Sequence, residues 1–125
     1  MQTDAAQIWQ LVNAPRQMGV DYEDLLTILA GSNCVAIGMA RASEPDHAPT
    51  AAKHAASACL THPNVTGMLV LIAGSKQCLK LSVAMNVMRT VVNMAPPDIV
   101  VYPSVGHDET LGSTVRITIV AAVAA

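Results

Sequence analysis

The sequence has few aromatic and few charged residues. It contains no Phe, one Trp and two Tyr, and only 13% of its residues are charged, whereas 52% are hydrophobic. Proteins that bind nucleic acids use aromatic side chains to stack bases and basic patches to hold phosphates. Here the seven basic residues form no run and the net charge is -2. The composition therefore argues against a nucleic-acid partner.

The sequence also lacks the cysteine and histidine spacings of metal sites. Cys34, Cys59 and Cys78 form no CxxC pair, and the four His residues do not stand three or four positions from one another. Neither a zinc site nor a disulfide framework is expected. Buried, unreactive thiols in a reducing compartment are the ordinary alternative, so we predict no metal and no disulfide.

No segment has the pattern of a signal peptide or a membrane span. The apolar C-terminal run is short and is interrupted by Arg116, so we expect a cytoplasmic protein without membrane insertion. A chain of 125 residues fits one domain, residues 1–125, with a core of small aliphatic side chains and Met. The high apolar content predicts an apolar surface that favours self-association or a partner.

Three carboxylates stand close together within residues 19–31. Asp21, Glu23 and Asp24 directly precede a helical run of leucine and isoleucine. Asp21 is suited to cap this helix and Asp24 to lie in its first turn, where carboxylates accept unpaired backbone N–H groups, and Gly31 is suited to end it. Capping alone accounts for these acids without any catalytic role.

The hydrophobic pattern predicts an α/β fold. Helices are predicted at residues 4–12, from about residue 24, and at 46–60 and 82–95, and strands at 33–41, 67–73, 99–102 and 114–121. This order predicts a four-stranded mixed sheet with packed helices, right-handed crossovers and a final antiparallel pair.

The pattern also predicts which faces are buried. The strand at 33–41 has small residues on one face, and an alanine stripe marks the helix that follows it, so close packing is expected there. The apolar strand at 67–73 is predicted to be central, and the last strand is predicted to have one wet face. The helix at 82–95 is predicted to bury Leu81, Ala84, Met85, Met88, Val91 and Val92.

Four stretches in this order resemble the C-terminal domain of the FtsZ/tubulin family. Residues 13–25 are similar to the family's synergy loop, with both aspartates kept, Tyr22 in place of Phe and Gly19 in place of Asn. Residues 36–40, 67–74 and 115–121 are similar to its later strands, with Leu71 where the family usually has Asn.

The resemblance implies a role for Asp21 and Asp24 in trans. In the family, this loop enters the nucleotide pocket of the next subunit, where carboxylates help to polarise the water that attacks GTP. The family's nucleotide-binding half and any GxxxxGK[ST] motif are absent from this sequence. We therefore expect no enzyme activity and no cofactor in this chain alone, with GTP and Mg reached only through a partner.

Two hypotheses follow from this sequence. The first is an interaction domain in bacterial cell division, which docks on an FtsZ-like GTPase and presents Asp21 and Asp24 or caps filaments. The second is a small oligomeric enzyme or ligand-binding protein, because the predicted α/β order is also similar to that of trimeric chorismate-mutase-like proteins. Its sites would lie between subunits and hold carboxylates with cationic groups, for which the candidates are Arg16, Arg41, Arg89 and Arg116.

Overall fold

The computed structural model describes residues 16–18 and 34–124. The predicted helices at 4–12 and after residue 24, and the carboxylate segment at 19–31 with Asp21 and Asp24, lie outside the described residues. The described elements are β1 (Arg16–Met18), β2 (Cys34–Ala42), α1 (Ala48–Cys59), β3 (Val65–Gly74), α2 (Leu81–Met94), β4 (Val100–His107) and β5 (Val115–Val123), with short 3-10 helices at Pro45–His47 and Glu109–Leu111.

The strands form one mixed sheet in the order β1-β4-β3-β5-β2. β3 and β4 are parallel, whereas β5 runs antiparallel to both β3 and β2. The predicted α/β fold with a four-stranded mixed sheet is confirmed in β2 to β5. The final strand is antiparallel as predicted, but its partners are β3 and β2 rather than the preceding β4. The three-residue β1, which the sequence analysis placed in a loop, extends the sheet beside β4.

β3 lies at the centre of the sheet. Met68, Leu69 and Val70 are all fully buried, although successive residues of a strand point to opposite faces. Both faces of β3 are therefore covered, as its continuous apolar run predicted.

α1 and α2 pack on the same face of the sheet. The predicted alanine stripe of α1 is buried there, as are side chains of β3 and β5 that point towards the helices. Ala36 and Ala40 of β2 contact this core from the edge of the sheet. The small residues of both elements let the helix axis approach the strand closely, and the predicted close packing is confirmed.

Two predicted strands differ from the structure. β4 continues through Pro103 to His107, whereas the sequence analysis ended this strand at residue 102. A proline is tolerated where one side of a strand has no partner, and β1 pairs with β4 only at Val105 and Gly106. The predicted wet face of β5 is wrong, because Thr118 is buried and Arg116 half-buried in a strand that lies between two others.

Neither α1 nor α2 is long and apolar enough to cross a bilayer, and the described residues contain no other α-helix.

Candidate interaction surface

α2 carries more apolar surface than the core covers. Ala84, Val87 and Val91 are its buried residues, whereas Leu81, Met85 and Val92 are exposed by 67%, 53% and 53%. These three exposed residues were predicted to be buried and Val87 was not, so that part of the prediction is wrong. The apolar arc of the helix is wider than the strip that contacts the sheet, and the local pattern does not tell which part of the arc is buried.

The exposed residues form a continuous line, which we call the α2 stripe: Leu81, Met85, Met88 and Val92. Residues four, seven and eleven positions apart lie above one another on a helix, and Met88 completes the line as a half-buried member. The flexible side chain of methionine adapts its shape to a partner. Apolar side chains gathered in this way on a surface are typical of a docking site for another protein.

The border of the α2 stripe is positively charged. Arg89 is exposed one turn after Met85, and the exposed Lys80 directly precedes the helix. No acidic residue occurs between Leu81 and Met94. The surface therefore combines an apolar line with cations at its edge, which favours a partner with an apolar strip and acidic residues beside it.

The loop before α2 is fixed by hydrogen bonds, so the α2 stripe has a defined position. The buried Ser75 donates from Oγ to the Gly112 carbonyl at 2.8 Å, and its own carbonyl accepts from the Leu79 N–H at 2.8 Å. Leu79 is buried and holds the chain against the core immediately before the helix begins. The first turn closes with the Val83 and Ala84 N–H groups donating to the Lys80 carbonyl.

The neighbouring loop between β4 and β5 is tied to the same region. The Asp108 N–H donates to the Gly74 carbonyl and the Lys76 N–H to the Glu109 carboxylate, each at 2.9 Å. The Asp108 carboxylate accepts from the N–H and the hydroxyl of Thr110. These bonds lower the pKa of Asp108, and the Arg116 charge lowers it further. The loops that follow β3 and β4 therefore form one hydrogen-bonded unit.

The structure brings two of the four candidate arginines together. Arg41 of β2 stands directly opposite Arg116 of β5, whereas Arg89 lies on α2. No local pattern in the sequence indicates this pairing, because the register of β5 against β2 is a tertiary property. Asp21 and Asp24, the predicted residues that act in trans, lie outside the described residues.

Cys59 is a structural thiol, as predicted. It is fully buried, and its Sγ lies 3.5 Å from the Ile119 carbonyl oxygen and 3.7 Å from that of Ala36. Burial raises the pKa of Cys59 to about 11, so the reactive thiolate is suppressed. Within residues 34–124, no group of three or more His, Cys, Asp or Glu side chains is placed to hold a metal ion.

Comparisons of the sequence and of the structure with known proteins both find similarity to FtsZ. No family model matches the chain. The cell division protein FtsZ of Neisseria meningitidis is 31% identical over 122 residues, which cover 93% of this chain and 31% of that protein. An FtsZ dimer of M. jannaschii superposes with a TM-score of 0.71 at 25% identity, covering 92% of this chain and 34% of that one.

A more distant structure shares the fold alone. The helical model of the TubZ-Bt four-stranded filament has a TM-score of 0.70 at 10% identity, over 96% of this chain and 33% of that one. The fold is therefore that of a tubulin-like protein of the FtsZ and TubZ type. The sequence identifies the nearer relationship: the chain is homologous to the C-terminal region of the cell division protein FtsZ. It spans 31% of the length of the curated relatives that it matches.

Proposed function

We propose that this chain is an interaction domain of the FtsZ C-terminal type, which acts in bacterial cell division by docking on an FtsZ-like GTPase. The observation that carries the proposal is the exposed α2 stripe, present on a chain homologous to FtsZ. Met85 and Val92 are each more than half exposed. Burying a fully exposed side chain of this size contributes about 1.5–3 kcal/mol, so covering the exposed half of each contributes roughly 1 kcal/mol.

In this proposal, Asp21 and Asp24 act on the partner's nucleotide. The resemblance of residues 13–25 to the synergy loop supports this role, because a positioned carboxylate beside a metal-bound phosphate can orient the attacking water. GTP and Mg are then bound by the partner, and residues 1–125 form a single domain that has no enzyme activity of its own. Its place of action is the cytoplasm.

Capping of filaments is the other form of the same docking. Head-to-tail filaments grow through two different complementary surfaces on each subunit. A domain that offers one of these surfaces without the other occupies a filament end and leaves no site for the next subunit. The solved FtsZ dimer and TubZ filament support the idea that assembly is the relevant behaviour.

GTP turnover by a partner distinguishes these two forms. We would titrate the chain into N. meningitidis FtsZ and measure phosphate release for the wild type, the double variant D21A/D24A and the control D46A, which removes an exposed carboxylate near α1. Stimulation that disappears in D21A/D24A and persists in D46A supports insertion of the loop. Stimulation that D21A/D24A leaves unchanged rules out insertion.

Inhibition gives the complementary result. If the chain slows turnover and shortens filaments equally well with and without the two aspartates, it caps filament ends. If neither turnover nor filament length changes at any concentration of the chain, the docking proposal is wrong.

A further inference from the structure

The five methionines from β2 onwards differ widely in exposure. Met39 and Met85 are exposed by 59% and 53%, whereas Met68 at the centre of the sheet is fully buried. Met88 and Met94 are half-buried and pack against the core. An oxidant dissolved in water therefore reaches two of these five side chains easily and one of them hardly at all.

Met85 is the exposed methionine of the α2 stripe. It lies one turn after Leu81, which is 67% exposed, and two turns before Val92, which is 53% exposed. Residues four and seven positions apart lie above one another on a helix. A partner that covers both Leu81 and Val92 therefore also covers Met85, and the thioether leaves water when the α2 stripe docks.

A peroxide oxidises a thioether by transferring one oxygen atom. The sulfur lone pair attacks one peroxide oxygen, the O–O bond breaks, and the proton of the transferred oxygen moves to the leaving oxygen, so that water departs from hydrogen peroxide. The sulfur loses two electrons and the peroxide gains them. The product is methionine sulfoxide, a polar side chain in place of an apolar one, and methionine sulfoxide reductases reverse the change.

We propose that Met85 is a site of reversible oxidation by peroxide and that its sulfoxide prevents the docking of the α2 stripe. This inference rests on the docking proposed above. The sulfoxide oxygen is hydrogen-bonded to water while the α2 stripe is free, and it loses these bonds when an apolar partner surface covers it. A buried acceptor without a hydrogen bond is unfavourable, so the oxidised chain binds its FtsZ-like partner more weakly.

Oxidation of Met85 leaves the fold in place. Its side chain lies outside the core, to which α2 contributes Ala84, Val87 and Val91. Met68, whose oxidation would place a polar group inside the core, is fully buried. The effect of mild oxidation therefore falls on binding and not on folding.

Peroxide treatment of the full chain tests this site. The wild type, M85L and the control M39L are treated with hydrogen peroxide and then desalted. Dithiothreitol next returns oxidised cysteines to thiols but leaves sulfoxides. Leucine is close to methionine in volume and equally apolar but has no sulfur to oxidise. Peptide mass spectrometry measures the oxidised fraction of each methionine, circular dichroism checks the fold, and sedimentation measures binding to untreated N. meningitidis FtsZ.

We expect Met39 and Met85 to be oxidised well before Met68 in the folded chain. Oxidised wild type and oxidised M39L should bind FtsZ about tenfold or more weakly than before treatment, since each has an unpaired acceptor in the contact. M85L should bind equally before and after treatment. A methionine sulfoxide reductase should restore binding by the oxidised wild type.

A partly oxidised wild type gives a test that needs no variant. After sedimentation with FtsZ, the sulfoxide of Met85 should be enriched in the unbound fraction, whereas the sulfoxide of Met39 should be equally frequent in both fractions. Equal sulfoxide content of Met85 in the two fractions overturns the proposal.

The remaining outcomes separate this proposal from the docking itself. Undiminished binding after complete oxidation of Met85 overturns the switch and leaves the docking intact. An equal loss of binding in M85L, or a loss of structure after treatment, also overturns the switch, because oxidation then acts elsewhere. If the untreated chain does not bind FtsZ, the docking is wrong and the switch is wrong with it.

Discussion

Gly38 of β2 lies directly against the main chain of Ala55 in α1. A Cβ atom at position 38 would overlap the Ala55 carbonyl oxygen. The main chains of the two elements are in direct contact, because the strand has a glycine at the point where the alanine stripe of the helix packs against it. No rearrangement of a side chain can relieve an added methyl group here.

The first prediction concerns this contact. Gly38→Ala is expected to lower the free energy of unfolding by about 1–3 kcal/mol, since α1 must move away from the sheet to admit the methyl group. Urea denaturation measures the loss. Met39→Ala, at the adjacent and exposed position, serves as the control and should stay within about 0.5 kcal/mol of the wild type. Equal stability of the two variants would contradict the close packing.

The second prediction tests the orientation of α2 with two adjacent valines. Val91 is fully buried and Val92 is 53% exposed. Val91→Ala is expected to cost about 1–2.5 kcal/mol through lost burial and a residual cavity, whereas Val92→Ala should cost less than about 0.5 kcal/mol. Thermal or urea unfolding decides the matter. Similar costs at both positions would mean that the helix presents the face predicted from its sequence pattern.

The third prediction uses the buried thiol of Cys59. Burial raises the pKa of this thiol from 9.0 to about 11, so the unfolded chain releases the proton at a lower pH than the folded chain does. The corresponding stability is fully present below pH 9 and is lost as the pH rises towards 11. Over this range, the free energy of unfolding should fall by up to about 1.4 kcal/mol per pH unit.

A variant isolates the contribution of Cys59. Cys59→Ala should unfold with a shallower dependence on pH between 9 and 11, although it is less stable at pH 8 because it loses a buried side chain. Urea titrations at pH 8 and pH 10 give the comparison. An identical difference between the two pH values in wild type and variant would exclude Cys59 as the titrating group.

Local patterns predicted the parts of the fold that are decided locally. The apolar run of β3 and the alanine stripe of α1 each specify burial through residues of one segment, and both predictions are confirmed. The order of strands and helices gave the fold class for the same reason.

The predictions that failed depend on what lies beside a segment. The alternation of Thr118 with its apolar neighbours indicates one wet face, but Thr118, Val120 and Ala122 on that face are all buried, and what covers a face of a sheet is not encoded in the strand itself. Pro103 indicates the end of a strand. The strand continues because β1 pairs with β4 only at Val105 and Gly106, and a proline is tolerated where one side of a strand has no partner. The apolar arc of α2 contains both its buried residues and the α2 stripe, and only tertiary packing separates them.

The candidate sites also divide into features that a local pattern indicates and features that depend on tertiary packing. The α2 stripe was visible in the sequence as apolar residues but was interpreted as core, because exposure is a tertiary property. The pairing of Arg41 with Arg116 required the register between β2 and β5. Asp21 and Asp24 were singled out through resemblance to the family, and their role stays a prediction.

Sedimentation of the chain mixed with N. meningitidis FtsZ tests the central claim most directly. The wild type, the stripe variant L81S/M85S and the control S82A/N86A, which changes exposed polar residues of the same helix, are compared at several protein concentrations. We predict that the wild type and the control bind FtsZ and that the stripe variant binds at least about tenfold more weakly. The reason is that a few residues of an interface supply most of its binding energy, and the variant loses the apolar contacts of two of them. A wild-type chain that sediments at its own mass beside FtsZ, or a stripe variant that binds as tightly as the wild type, would contradict the account.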